Sequence, residues 1–154
     1  MKKKTDTKNK DIAVNRKAYH DYFIEETFEA GMVLLGSEIK SLRKGKVSLK
    51  EAYIHFTNGE AFVKGMHIAS YKEATYNDHD ETRDRKLLLH KREIHRLSSK
   101  CKIQGYTCIP LRVYLKDGRA KMEIALAKGK TLYDKRESDK KKDMERIAKQ
   151  SMRY

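Results

Sequence analysis

On either side of Asp117-Gly118, apolar side chains recur at every second position: Ile109, Leu111, Val113 and Leu115 before it, Met122, Ile124 and Leu126 after it. A period of two is that of a strand with one buried face, and Asp-Gly accepts the positive φ of a tight hairpin turn. Such a pair exposes an apolar face and unpaired edges, so it requires a larger, mostly antiparallel sheet around it. Pro110 has no amide donor and predicts an edge or a bulge in its strand.

A second hairpin is predicted where Tyr53, Ile54, His55 and Phe56, then Ala61, Phe62, Val63 and Lys64, flank Asn58-Gly59, a dipeptide suited to a type I′ turn. Elsewhere the pattern predicts a strand over 18–24, a turn or single helical turn over 25–31 closed by Gly31, and a further strand over 32–42 with Gly36 at a bulge. Ser48 and Glu51 stand at capping-box spacing and predict a short helix, while the charge-dense stretch 72–86 predicts a loop. Leu87, His90, Ile94, Leu97 and Cys101 share one helical face, which Gly105 terminates. About six strands with one main exterior helix and some short ones close most economically as a small barrel, because closure removes edges. The expected fold is mainly β, an OB-like antiparallel barrel followed by a basic C-terminal tail.

The distribution of charge suggests what such a barrel meets. Over 154 residues the formal net charge is +14, of which residues 1–17 carry +5 and residues 128–154 another +5. Cationic flanks on a nearly balanced body predict a polyanionic partner, and neither flank has the bulky apolar face of a membrane-surface helix, so nucleic acid is favoured. Residues 1–11 are too polar to repay ordering and are expected to be disordered, 12–128 to form the barrel, and 129–154 to form the tail. In that tail Met144, Ile147, Ala148 and Met152 make a thin apolar stripe among lysines and arginines. It predicts a segment unstructured when free and helical against a phosphate-rich surface. The polar start leads into no apolar core of a signal sequence, which predicts a cytoplasmic protein. Cys101 and Cys108, seven apart, match neither redox nor zinc spacing and predict free thiols.

Catalysis finds little support. Asp78, Asp80, Glu81 and Asp84 could offer oxygen ligands to Mg²⁺, as a metal-dependent nuclease needs, but they read better as a solvated loop answering Arg83, Arg85 and Lys86. His90, His95, Cys101 and Cys108 fit no standard zinc pattern, and no phosphate-cradling or dinucleotide motif is present, so neither metal nor cofactor is expected. RNA binding is the better-supported chemistry: Tyr19, Tyr22, Tyr53, Tyr71 and Tyr106 can stack on bases amid Arg16, Lys17, Arg43, Lys44 and Lys46, with Lys86 a further candidate cation.

Seven motifs then occur in a recognisable order. They are Asn15-Arg16-Lys17-Ala18; His-Asp-Tyr-Phe-Ile-Glu over 20–25; Phe28-Glu29-Ala30-Gly31; Gly-Ser-Glu-Ile-Lys-Ser-Leu-Arg over 36–43; Arg-Lys-Leu-Leu-Leu-His-Lys over 85–91; Ala127-Lys128-Gly129-Lys130; and Asp134-Lys135-Arg136. Together they resemble the SmpB family, the SsrA-binding proteins of bacteria, from about residue 12 to residue 136. The resemblance implies an OB-like barrel that binds transfer-messenger RNA, a monomer that delivers this RNA to the small subunit of stalled ribosomes for trans-translation, with no catalytic residue. It implies RNA contacts at Asn15, Glu29 and Leu88, beside Arg16, Lys17, Tyr22, Arg43 and Lys86. It further implies that the tail, from Lys128, Gly129 and Lys130 through Tyr133, Asp134, Lys135 and Arg136, enters the vacant mRNA channel and becomes helical there. Thr131 departs from the family's more usual lysine. The alternative reading on the same chemistry is a general OB-fold RNA chaperone or ribosome-associated protein.

Overall fold

The computed structural model describes residues 11–70, 79–131, 135–137, 139–142 and 144. Its strands are β1 (Asp11–Val14), β2 (Tyr22–Met32), β3 (Val47–Ser48), β4 (Tyr53–Thr57), β5 (Glu60–Lys64), β6 (His67–Ile68), β7 (Arg85–Leu88), β8 (Tyr106–Lys116) and β9 (Arg119–Gly129). Its helices are α1 (Arg16–Asp21), α2 (Gly36–Arg43) and α3 (Lys91–Cys101). Seven strands form one antiparallel sheet in the order β1-β8-β9-β2-β7-β5-β4, and β3 pairs with β6 apart from it.

Both predicted hairpins are present. β8 and β9 run in register from Tyr106↔Lys128 to Lys116↔Arg119, with Asp117 at φ 52° and Gly118 at φ 78° in the turn. Asn58 and Gly59 likewise take positive φ between β4 and β5. The register of β8 slips between Pro110 and Arg112, so the proline sits at a bulge in a strand flanked on both sides, not at an edge. Alternation feeds a core on each face, and the slip moves Val113 off the face of Ile109 and Leu111. Cys108, Val113, Met122, Ile124 and Leu126 join the main core with Leu42, Val63, Leu87 and Leu97, while Ile109, Leu111, Ala125 and Ala127 face the other way onto Ala18 of α1.

Mainly β is correct, but the barrel is not closed: β1 and β4 end the sheet, although β4 lies beside β8. Several local expectations fail for identifiable reasons. The strand expected over 18–24 is α1 up to Asp21, because Asn15 caps it, its Oδ1 accepting the Ala18 amide at 3.3 Å. The turn expected over 25–31 lies inside the 11-residue β2. Its glutamates point outward to partners: Glu25 accepts from Tyr106 Oη at 3.2 Å and Glu26 pairs with Arg96 at 2.9 Å. Where a strand was expected over 32–42, α2 starts at Gly36, with Glu38 Oε1 accepting the Leu35 amide at 2.8 Å. No helix forms at 48–52; Ser48 Oγ instead accepts the Lys50 amide at 3.3 Å in a turn. Gly65 packs under that turn at φ 77°, where a Cβ would stand 2.5 Å from the Glu51 carbonyl oxygen.

The end of the loop expected over 72–86 is β7, and Leu87 and His90, assigned to the helix, are a strand residue and the N-cap of α3. β7 was illegible because one of its inward residues is an arginine. Arg85 is fully buried; its Nε donates to Glu38 Oε2 at 2.5 Å and its other nitrogens to the carbonyls of Met66, Asp80 and Glu81 at 2.7, 3.3 and 3.1 Å. Burial acts to raise the Glu38 pKa, yet the bonds from Arg83, the Leu35 amide and Arg85 outweigh it and hold the carboxyl below its ordinary value. This pair fixes β7, and β7 carries Lys86 and Leu88. Cys101 is half-buried and Cys108 buried, both free thiols as expected.

Candidate nucleic-acid interface

The ladder between β2 and β9 runs from Tyr22↔Gly129 at one end to Gly31↔Lys121 at the other. The nine residue steps of β2 span about 30 Å at roughly 3.3 Å per residue. Predicted RNA-contacting residues lie at both ends.

At the Gly31 end, cross-strand register aligns Tyr114, Lys121, Gly31 and Leu88 in one row across β8, β9, β2 and β7. Residues directly opposite one another project to the same face, so register sets the row on one face of the sheet, from buried Tyr114 to exposed Leu88. A Cβ on Gly31 would stand 3.3 Å from Leu88 Cβ, so the glycine leaves room for a leucine that is 54% exposed. Next to this row, Glu29 accepts hydrogen bonds from Tyr114 Oη and, at 3.3 Å, from Lys116 Nζ. Burial pushes Glu29 upward, but those donors prevail and its pKa is lowered; burial and the same carboxylate raise that of Tyr114. Glu29, Gly31, Glu60, Lys86, Leu88 and Lys121 line a hollow of about 570 Å³. Lys86 pairs with Glu60 at 2.8 Å on its rim.

At the Tyr22 end, Asn15, Lys17 and Tyr22 line a smaller hollow of about 250 Å³ with Lys50, Tyr53 and Thr107. Asn15 is committed internally. Besides capping α1, its Nδ2 donates to the Pro110 carbonyl at 2.9 Å, tying the helix to the bulge in β8. Arg16 and Lys17 are exposed on the first turn of α1, and Arg43 is exposed at the end of α2, away from both linings.

The tail begins here too. Lys128 and Gly129 close β9, and the Lys130 amide donates to the Asp21 carbonyl at 2.8 Å. Lys130 Nζ reaches the Tyr19 carbonyl at 3.3 Å and lies over the Phe23 ring at 5.1 Å. Residues 135–137, 139–142 and 144 are helical; Lys135 pairs with Asp21 at 3.5 Å, and His20 bridges Asp21 at 2.9 Å and Asp139 at 3.0 Å. Arg136 is exposed, whereas Tyr133, Asp134, Ile147, Ala148 and Met152 lie outside the described residues.

Metal chemistry gains nothing from the geometry. Asp78 lies outside the described residues, and Asp80 Oδ1 accepts the Thr82 amide at 3.0 Å in a local turn. Among the described residues no group of three or more His, Cys, Asp and Glu is placed to hold a metal ion.

The model of the SmpB protein family matches residues 12–154. The chain belongs to the SmpB family. An SsrA-binding protein of Geotalea uraniireducens (strain Rf4) is 59% identical over 135 residues, 88% of this chain and 89% of its own. Another, from Clostridium novyi (strain NT), is 52% identical over 98% of this chain and 99% of its own length. Among solved structures, a chain described under "tmRNA-SmpB: a journey to the center of the bacterial ribosome" superposes with a TM-score of 0.67 at 42% identity, covering 84% of this chain and 93% of that one.

For this SmpB family member the structure brings Glu29, Lys86 and Leu88 together and sets Asn15, Arg16, Lys17 and Tyr22 apart from them. Sequence reading missed Lys121 and Gly31 as lining of the first hollow and Tyr114 as the partner of Glu29. Gly31 stands in a family motif, but Lys121 and Tyr114 carry no local signal, and it takes the register to align them. It also missed His20 and Asp21 as tail-holding residues, because their partners lie more than a hundred residues away.

Proposed function

We propose that this chain is a non-catalytic RNA-binding adaptor of the cytoplasm, which binds transfer-messenger RNA with its β head and engages the ribosomal small subunit with its basic tail. The observation that carries this reading is the row ending in Gly31 and Leu88: an exposed leucine, a carboxylate and flanking lysines around one hollow. Leucine supports an unstacked base, the glutamate accepts from base amino groups, and Lys86 and Lys121 neutralise phosphates. Asn15 acts here as a positioning residue, capping α1 through Oδ1 and donating to the Pro110 carbonyl through Nδ2. Lys17 and Tyr22 would meet RNA beside it. The tail's contacts with α1 are ion pairs open to solvent in part, of the kind worth little in water, so ribosomal phosphates can replace them. No described helix is long and apolar enough to cross a membrane.

The test separates head from tail. Leu88→Ala and Glu29→Ala are expected to weaken binding to transfer-messenger RNA at physiological salt. Alanine at Asp134, Lys135 and Arg136 is expected to leave that affinity intact and abolish tagging on stalled ribosomes. Equal loss in both assays from the tail variants would refute the division. A steep salt dependence with no preference for transfer-messenger RNA over random RNA would favour a general chaperone, because phosphate contacts carry no identity.

A further inference from the structure

The two groups of candidate RNA residues sit at opposite ends of the β2–β9 ladder, in separate hollows. One RNA that touches both must cross the surface between them. On the β7-β5-β4 side of the sheet that surface is an outward strip in which aromatic rings alternate with lysines. Lys86 stands opposite Phe62, and Phe62 opposite His55, so one line crosses three strands. One step further along the hairpin, Lys64 faces Tyr53. The intervening residues Ala61, Val63 and Ile54 are buried and supply the core, so the rings of Phe62, His55 and Tyr53 are not needed to close it. Tyr53 is 46% exposed and His55 is exposed, on a strand that ends the sheet. Lys86 lines the first hollow and Tyr53 the second, so the strip is continuous with both.

We propose that this face, Lys86-Phe62-His55 and Lys64-Tyr53, carries unpaired nucleotides of the bound transfer-messenger RNA from one hollow to the other. The exposed rings of Tyr53 and His55 on β4 and the half-buried ring of Phe62 on β5 offer successive bases a stacking platform, and the lysines between them track the backbone. The lysines' present partners are Glu60 for Lys86, at 2.8 Å, and Asp84 for Lys64, at 3.6 Å. Both are exposed pairs, and phosphates can displace them at small cost. Phe62 and His55 would thus be specificity-neutral contacts that add affinity and hold the RNA in register between the two sites.

This inference rests on the head-binding reading above, and the experiment keeps the two apart. Full-length protein carrying Phe62→Leu, His55→Ala or both is titrated against a transfer-messenger RNA transcript over a range of salt, with Leu88→Ala as reference. His55→Ala removes an exposed ring on an edge strand, so it is informative even where Phe62→Leu perturbs the fold. The double variant is expected to weaken Kd by about five- to a hundredfold, the range of base-aromatic stacking, with an unchanged salt slope. Lys64→Ala should instead reduce the slope by about one phosphate's worth. If Leu88→Ala loses affinity while the double and His55→Ala variants stay within about twofold of the parent, a few tenths of a kcal/mol, the strip is overturned and the hollow stands. If Leu88→Ala also binds normally, the head-binding reading falls and takes the strip with it.

Discussion

The two ends of the β2–β9 ladder use family-motif residues in opposite ways. At the Gly31 end, motif residues face solvent: Leu88 is exposed, Lys86 stands on a rim, and Glu29 meets its partners at the surface. At the Tyr22 end Arg16 and Lys17 are exposed, but Asn15, His20 and Asp21 turn toward the chain itself. Asn15 spends its acceptor on a helix cap and its donor on the Pro110 carbonyl, and Asp21 and His20 hold the start of the tail. A motif therefore does not say whether its residues touch a partner or build the surface that does.

Four experiments sharpen or break that contrast. The largest effect belongs to Glu38→Ala, which leaves Arg85 buried without its carboxylate. A cost of about 3–5 kcal/mol is expected in urea denaturation, with β7 and its end of the ladder exchanging amide protons first. The same pair sets an acid limit. Because the folded Glu38 pKa is depressed, its contribution is full above the ordinary carboxyl value and is lost as pH falls through the folded one.

Next comes Asn15→Ala, expected to cost about 1–2 kcal/mol of stability through the lost cap and the bond to β8. Its RNA affinity, measured where the variant is fully folded, should be close to the parent's. A loss beyond that would return Asn15 to the contacting residues and erase the contrast.

Gly31→Ala probes the other end. Its new Cβ meets Leu88 at 3.3 Å, so we expect a Kd about tenfold weaker, or ~1.4 kcal/mol, with little change in melting temperature.

The smallest effect is that of pH on the tail. Hydrogen bonds donated to the carboxylates of Asp21 and then Asp139 raise the His20 pKa, so the contact is complete below the ordinary histidine value and lost as pH rises through the raised one. Asp139→Asn should bring the His20 titration, followed by its ring proton shifts, back toward the ordinary value. An unchanged titration would show that the tail does not rest there.

The hairpins, the mainly β class, the basic flanks and the family motifs were legible because each is local: a period of two, a turn dipeptide, a charge count. The misread elements have two causes. Tyr22–Met32 is rich in glutamate and Arg85 hides inside a strand, and there a partner far along the chain, Arg96 for Glu26 or Glu38 for Arg85, reverses the local preference. Asn15 caps α1 through the Ala18 amide three residues on, a local bond made by a residue type that suits turns equally well.

What the sequence determined alone was its strongly periodic strands, its turns and its overall attraction to polyanions, since these depend on neighbours within a few residues or on no geometry at all. What only the tertiary structure decided was adjacency. Strand register set Leu88 against Gly31 and aligned Lys86 with Phe62 and His55, because a one-residue slip would send those side chains to the opposite face, while the placement of the tail beside α1 brought His20 to Asp139.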